Sequence, residues 1–135
     1  MATVFEKLNR KDQQEIVVLN APESFEPEMA KLPVKTIHHQ VASVPSIDFF
    51  LAFVTRKSEI GALAPQIAKR AKGDAIVWFA YPKGTSKKYK CDFNRDTGWD
   101  QLKAEGFDTV RAVAIDEDWT ALRFRRSEFI KSRPK

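Results

Sequence analysis

The stretch DAIVWFAYPKGTSKKYKCD, Asp74 to Asp92, decides how the rest of the chain is read. It opens on seven consecutive apolar residues, Ala75 to Tyr81, and breaks at Pro82. It then becomes a loop carrying Lys83, Gly84, Thr85, Ser86, Lys87, Lys88 and Lys90. A strand apolar on both faces has its place inside a parallel sheet covered on both sides. In open sheets of that kind, ligands bind beyond the carboxyl ends of the strands. The stretch therefore joins a buried strand to a basic, hydroxyl-bearing loop at the edge where ligands bind.

Upstream, Glu15 to Leu19 reads as a first strand that ends in Asn20-Ala21-Pro22. Lys35 to Val41 reads as a second strand, and Asp48 to Val54, DFFLAFV, as a third that is again apolar on both faces. Between the third strand and the central one, Ile60, Leu63, Ala64, Ile67 and Ala71 form a helical stripe. Ser58 is placed to cap this helix and Gly73 to end it, while Pro65 predicts a kink or a break. Val4, Phe5 and Leu8 suggest a short helix capped by Thr3, and Ser24 to Lys31 another, weakened by Pro22 and Pro27. Downstream, Asp92 or Asn94 caps a helix with Trp99 and Leu102 facing inward and Gly106 at its end. Thr109 to Ile115 is a strand, Asp116-Glu117-Asp118 a turn, and Trp119 to Arg125 the last strand. A connection this short is no crossover, so the last two strands run antiparallel. The expected fold class is α/β: a mostly parallel twisted sheet flanked by helices, Rossmann-like, with a closing antiparallel hairpin.

A chain of 135 residues with 43% apolar residues, including ten Phe and three Trp, supplies the core of one domain. Residues 1–126 are read as that domain and 127–135 as a frayed basic tail. Its one cysteine excludes a disulfide framework and a cysteine-only zinc site, and fits a reducing cytoplasm. No apolar run approaches the roughly 20 residues that span a bilayer, so no membrane partner is expected. The polar, acid-bearing N-terminus MATVFEKLNRKDQQE is read as neither a signal nor a transit peptide. The net charge of +5 comes wholly from residues 119–135, which hold Arg123, Arg125, Arg126, Lys131, Arg133 and Lys135 against Glu128. A basic tail attracts nucleic acid. A solvated terminus is the favoured reading, because no aromatic residue follows Phe129 to stack on bases.

The order of elements from Asp48 onward resembles part of a class I S-adenosylmethionine-dependent methyltransferase, in truncated form. The points of similarity are Asp48 opening an apolar strand, Lys72-Gly73-Asp74 before AIVWFAYP, and the closing pair of strands. The chain is similar, more closely, to a family of small bacterial proteins built around a domain of unknown function. The shared pieces are Asn20-Ala21-Pro22, Tyr81-Pro82-Lys83, Asp92-x-x-Arg95-Asp96 with Trp99, and Trp119-Thr120-Ala121-Leu122-Arg123-Phe124. The resemblance runs from about residue 14 to 126. It implies a methyltransferase-like domain, and two departures bear on the cofactor. Methyltransferases have a glycine-rich turn after the first strand, where this chain has Asn20-Ala21-Pro22-Glu23-Ser24, whose side chains take up room and whose proline lacks an amide. The acid that ends their second strand is replaced by His38-His39-Gln40-Val41. On these grounds no cofactor is expected, S-adenosylmethionine is disfavoured, and the domain is read as one without competent catalysis.

The candidate ligand-binding residues are those that topology sends to one edge: Asn20, Glu23 and Ser24 after the first strand, and Tyr81, Lys83, Gly84, Thr85, Ser86 and Lys87 after the central one. Lysines, hydroxyls and a permissive glycine suit a small anionic ligand, and the loop lacks the order of a Walker loop. A solvated loop leaning on the Asp116–Asp118 turn is the plainer alternative. A protein partner, a methyltransferase or other enzyme, and a nucleic-acid binder using loop lysines and tail arginines stand as further alternatives. Asp92, Arg95 and Asp96 fit helix caps and surface pairs better than acid–base groups. Three adjacent acids at 116–118 fit a turn better than a metal site. Neighbouring His38 and His39 on a strand face opposite sides and do not chelate together, Cys91 has no evident catalytic partner, and Trp99 and Trp119 are assigned to the core.

Overall fold

The computed structural model describes Leu8 and residues 15–30, 36–39, 46–83, 93, 99–116 and 118–127. Among the described residues, six strands form one sheet. They are β1 (Glu15–Leu19), β2 (Thr36–His38), β3 (Ile47–Phe53), β4 (Ala71–Pro82), β5 (Phe107–Ala114) and β6 (Trp119–Arg126). The order across the sheet is β2-β1-β3-β4-β6-β5. The first four neighbours pair in parallel, and β6 is antiparallel to both β4 and β5. The mixed α/β sheet expected from the sequence is therefore present. The closing hairpin is present too, with its second strand turned inward to lie between β4 and β5.

The uninterrupted apolar runs sit where both faces are covered. Val17 and Leu19 of β1, Phe50 and Ala52 of β3, and Val77 and Phe79 of β4 face one apolar cluster. Helix α2 (Lys57–Arg70) closes that side with Ile60, Ala64 and Ile67, joined by Trp99 and by Leu102 of the short helix α3 (Asp100–Ala104). The alternate residues Ile16, Val18, Phe49, Leu51, Trp78 and Ala80 face the other cluster. There they meet Leu8, Phe25 of a 3-10 turn (Glu23–Phe25) and Met29 of helix α1 (Glu26–Ala30). At about 25 cal/mol per Å², removing these side chains from water is the main favourable term of the fold. The buried Trp78 indole also donates a 2.7 Å hydrogen bond from Nε1 to the Leu8 carbonyl, tying the N-terminal segment to the central strand.

Several local expectations are corrected. Helix α2 begins one residue before Ser58. Its first turn is held by Glu59, whose carboxylate accepts the amides of Thr55 at 2.7 Å and Arg56 at 3.0 Å, while Glu59 N donates to the Arg56 carbonyl at 3.1 Å. Pro65 lies inside the helix without breaking it. Its missing amide costs one hydrogen bond, and the buried stripe on the opposite face holds the segment helical. Gly73 does not end α2. The helix stops at Arg70, and Ala71 already pairs with Ile47 of β3, so Gly73 lies within β4. The terminator is Arg126 of β6, whose Nη2 donates to the carbonyls of Ala68 and Ala71, each at 2.8 Å. Its guanidinium also lies 4.9 Å from the centre of the Phe107 ring. One of the six residues counted toward a basic terminus is thus a helix cap. Gly106 does end α3, at a φ of 92° that favours glycine. The proposed N-terminal helix, apart from Leu8, lies outside the described residues, as do the caps at Asp92 and Asn94, the ends of the second strand at Lys35 and Val41, and the tail beyond Ser127.

Two stability predictions follow from these contacts. Replacing Arg126 by Met removes charge-assisted bonds to two helix-terminal carbonyls, so urea unfolding should show a loss of about 2–3 kcal/mol, only partly recovered by Lys. Trp78→Phe keeps a ring in the core but strands the Leu8 carbonyl, and the same assay should show a loss of about 1–3 kcal/mol.

Candidate functional site

All four parallel strands deliver their carboxyl ends to one rim. In order across the sheet, the residues there are His39 after β2, Asn20 after β1, Thr55 just beyond β3, and Lys83 after β4. With strands about 4.8 Å apart, the rim runs roughly 14 Å from β2 to β4. The β5–β6 turn completes it. Lys83 N donates to the Asp118 carbonyl at 2.8 Å, so the central strand and the acidic turn are fastened together at this edge. That turn is shaped by Asp116, whose Oδ1 accepts the amides of Asp118 at 2.8 Å and Trp119 at 2.9 Å. The Asp116 carboxylate thus builds the local turn.

Beneath the rim the two faces differ. On one, Phe25 packs on Phe53 with ring centres 4.9 Å apart, and Phe53 on Trp119 at 5.1 Å. On the other, Tyr81 meets Phe93 at 5.8 Å and Trp99 at 5.7 Å. These aromatic pairs form a rigid floor under the exposed strand ends.

The structure sorts the candidate residues. Asn20 is exposed at the rim, Glu23 is exposed at the start of the 3-10 turn that follows, and Ser24 lies in that turn between Glu23 and Phe25. Lys83 is half-buried at the rim. Tyr81 sits in the core against Phe93 and Trp99, only 7% exposed. One residue earlier than Pro82, it shares its face with Val77 and Phe79, and the strand alternation that buries them buries it. Gly84, Thr85, Ser86 and Lys87 lie outside the described residues. His39, read in the sequence within a strand from Lys35 to Val41 and at the place of the missing acid, lies just after β2 and is exposed.

Asn20 has a φ of 57°, the one non-glycine residue in the left-handed region among those described. Asparagine tolerates that region better than other side chains. The turn after β1 therefore takes a glycine-type bend without a glycine. The chain then continues into the 3-10 turn, where the Phe25 amide donates to the Pro22 carbonyl at 2.9 Å.

With this geometry the fold is that of class I S-adenosylmethionine-dependent methyltransferases. No protein-family model matches the chain, and no curated protein matches it. Solved structures do. An S-adenosylmethionine-dependent methyltransferase from Aquifex aeolicus superposes with a TM-score of 0.61 at 12% identity, over 91% of this chain and 87% of that one. A type 11 methyltransferase assigned from Sulfolobus solfataricus gives 0.57 at 8% identity, over 90% and 88%. Magnesium protoporphyrin IX methyltransferase from Synechocystis PCC 6803, solved with bound S-adenosylmethionine, gives 0.51 at 15% identity, over 83% of this chain and 60% of that one.

These likenesses overturn the expectation that S-adenosylmethionine is disfavoured and that no cofactor is to be expected. Among the proteins sharing this sheet, one is an S-adenosylmethionine-dependent methyltransferase and another was solved with S-adenosylmethionine bound. The sequence grounds for that expectation were the room taken by the side chains of Asn20-Ala21-Pro22-Glu23-Ser24, the amide that Pro22 lacks and the missing acid after the second strand; the structure adds that the first turn takes a left-handed bend at Asn20.

The bend sets its own test. Asn20→Gly should leave stability within about 0.5 kcal/mol of the parent, whereas Asn20→Val, which resists positive φ, should lower it by about 1–2 kcal/mol in chemical denaturation.

Proposed function

We propose that this chain is a methyltransferase-like domain that binds S-adenosylmethionine or its demethylated product, S-adenosylhomocysteine, along the rim from β2 to β4. The observation that carries the reading is the strand order β2-β1-β3-β4-β6-β5, with β6 antiparallel inside the sheet, in the company of methyltransferase structures that superpose on it. The rim supports it in three ways. Its span of about 14 Å suits a nucleoside bearing an amino-acid tail. The left-handed turn at Asn20 brings backbone, rather than a helix or a bulky ring, to the middle of the rim. Lys83 places an ammonium group at the β4 end, where a carboxylate would be complemented.

Asn20 with the turn after it, and Lys83, are the residues that would hold the ligand; when bound, S-adenosylmethionine supplies an activated methyl group. The proposal concerns binding, and it retains the anion-binding role expected for Lys83 while replacing the expectation of an unrelated ligand.

Calorimetric titration with S-adenosylhomocysteine tests it, alongside thermal melting with S-adenosylmethionine, ATP and glucose 6-phosphate. Saturable binding of S-adenosylhomocysteine is expected, with a melting midpoint that rises as the ligand is added. A ligand at a hundred times its Kd stabilises the folded state by about 2.7 kcal/mol. Lys83→Ala should weaken the affinity roughly threefold to tenfold without shifting the midpoint of the free protein. No heat and no midpoint shift with either adenosyl compound at millimolar concentration would refute the reading.

A further inference from the structure

The half of β6 remote from the rim carries a row of charge on the face opposite α2 and α3. Alternation along β6 puts Arg123 and Arg125 on the side of Trp119 and Ala121. On β5 the same face holds Arg111, two residues before Val113, which packs against the apolar cluster of that side. The register agrees, with Arg111 opposite Arg123 and Asp108 opposite Arg125. In this part of β5 and β6, three guanidinium groups thus share one patch with one carboxylate. That carboxylate also accepts a 3.1 Å hydrogen bond from Ser127 Oγ. Arg111 is exposed, and the other two arginines are half-buried. At about 3.3 Å per residue, Arg123 and Arg125 lie roughly 13 and 20 Å along the strand from Trp119, so the patch is separate from the ligand rim. Like charges facing each other on neighbouring strands destabilise a sheet. Arg123 is also in register with Trp78, and a stem laid on apolar surface explains one long side chain there. It does not explain a second arginine opposite the first.

We propose that this patch binds the phosphodiester backbone of duplex nucleic acid, without reading its sequence. The charges on β6 stand two residues apart, about 7 Å, and the chain runs on from that strand into Lys131, Arg133 and Lys135. A row of cations suits a polymer of repeated negative charge better than a single small anion. Protein interfaces and membrane-surface elements place apolar side chains at the centre of contact. Among the described residues, Val110 is the one exposed large apolar side chain. Backbone contacts need only cations and hydrogen-bond donors, and arginine offers both in a fork that matches phosphate. The lack of an aromatic residue after Phe129 counts against a stacking platform for single strands, not against phosphate contacts. The inference is independent of the rim and of whether S-adenosylmethionine binds there.

Fluorescence anisotropy tests it, with labelled DNA and RNA duplexes of about 20 base pairs in two unrelated sequences, and salt raised from about 50 to about 200 mM. The full-length parent is expected to bind the duplexes with micromolar Kd at the lower salt, alike for both sequences, and to lose affinity steeply as salt rises. The double variant Arg111→Gln/Arg125→Gln should bind roughly tenfold more weakly at the lower salt, with a slope of log affinity on log salt shallower by about two. Arg111→Lys/Arg125→Lys should recover most of the loss, which a purely structural role in packing would not predict. Arg111→Gln alone alters one exposed side chain, and its slope should fall by about one, so the reading does not depend on the double variant folding. A parent that binds neither duplex at tens of micromolar protein would overturn the inference. So would unchanged affinity and slope in folded Arg111→Gln and in the double variant, with binding lost only when Lys131, Arg133 and Lys135 are replaced by Gln, because the tail alone would then carry the contact. Co-sedimentation of the parent with phosphatidylserine vesicles, without binding to either duplex, would also overturn it and assign the patch to a membrane surface.

Discussion

The pairing of β4 with β6 is the contact on which the rest of the structure depends. It runs from Val77 opposite Phe124 to Pro82 opposite Trp119, so the strand that carries the longest apolar run is flanked on its second side by the last strand of the chain. Three consequences come from that one neighbour. Leu122 and Phe124 complete the apolar face under α2 and α3, while Trp119 and Ala121 complete the other face. Arg126 reaches the end of α2, which fixes where that helix stops and where β4 starts. The turn leading into β6 brings the Asp118 carbonyl to the Lys83 amide, which sets the height of the rim at its β4 end.

Much of this was legible in the sequence, and the reason is periodicity. β1, β3 and β4 were readable because residues such as Ile16, Val18, Phe49, Leu51, Trp78 and Ala80 are apolar on alternation with a second apolar set, a pattern that only a doubly covered strand requires. The short link at residues 116–118 correctly implied an antiparallel last pair. What periodicity does not encode is which strand lies beside which at long range. Nothing local in Trp119 to Arg126 says that it pairs with β4, so the inward placement of β6 was not readable. The helix ends failed for the same reason. Gly73 carries the usual signature of a terminator, and the actual one, Arg126, is 55 residues from the carbonyl of Ala71 that it caps.

The candidate site was readable as an edge and less so as a set of side chains. Asn20 and Lys83 do follow parallel strands at one edge of the sheet. Tyr81 is next to that rim in sequence, yet its alternation with Val77 and Phe79 buries it, a rule that was available and was outweighed by the appeal of a Tyr-Pro-Lys motif. The reading of the first turn shows a different limit. That reading weighed side-chain room and the amide that Pro22 lacks, and did not consider that asparagine reaches the left-handed region at modest cost. The backbone at Asn20 takes that conformation, at φ 57°.

The inward seat of β6 has a consequence for how the molecule is made. A ribosome releases the chain from its N-terminal end, so a strand occupying an interior position of the sheet is the last of the six described strands to emerge. Until residues 119–126 are free, β4 shows an unpaired row of backbone donors and acceptors along an apolar ribbon, the kind of open edge on which other chains assemble. The polypeptide therefore spends its synthesis with its central strand half-dressed, and a message that stops short of Trp119 yields a product whose middle, rather than whose margin, is left uncovered.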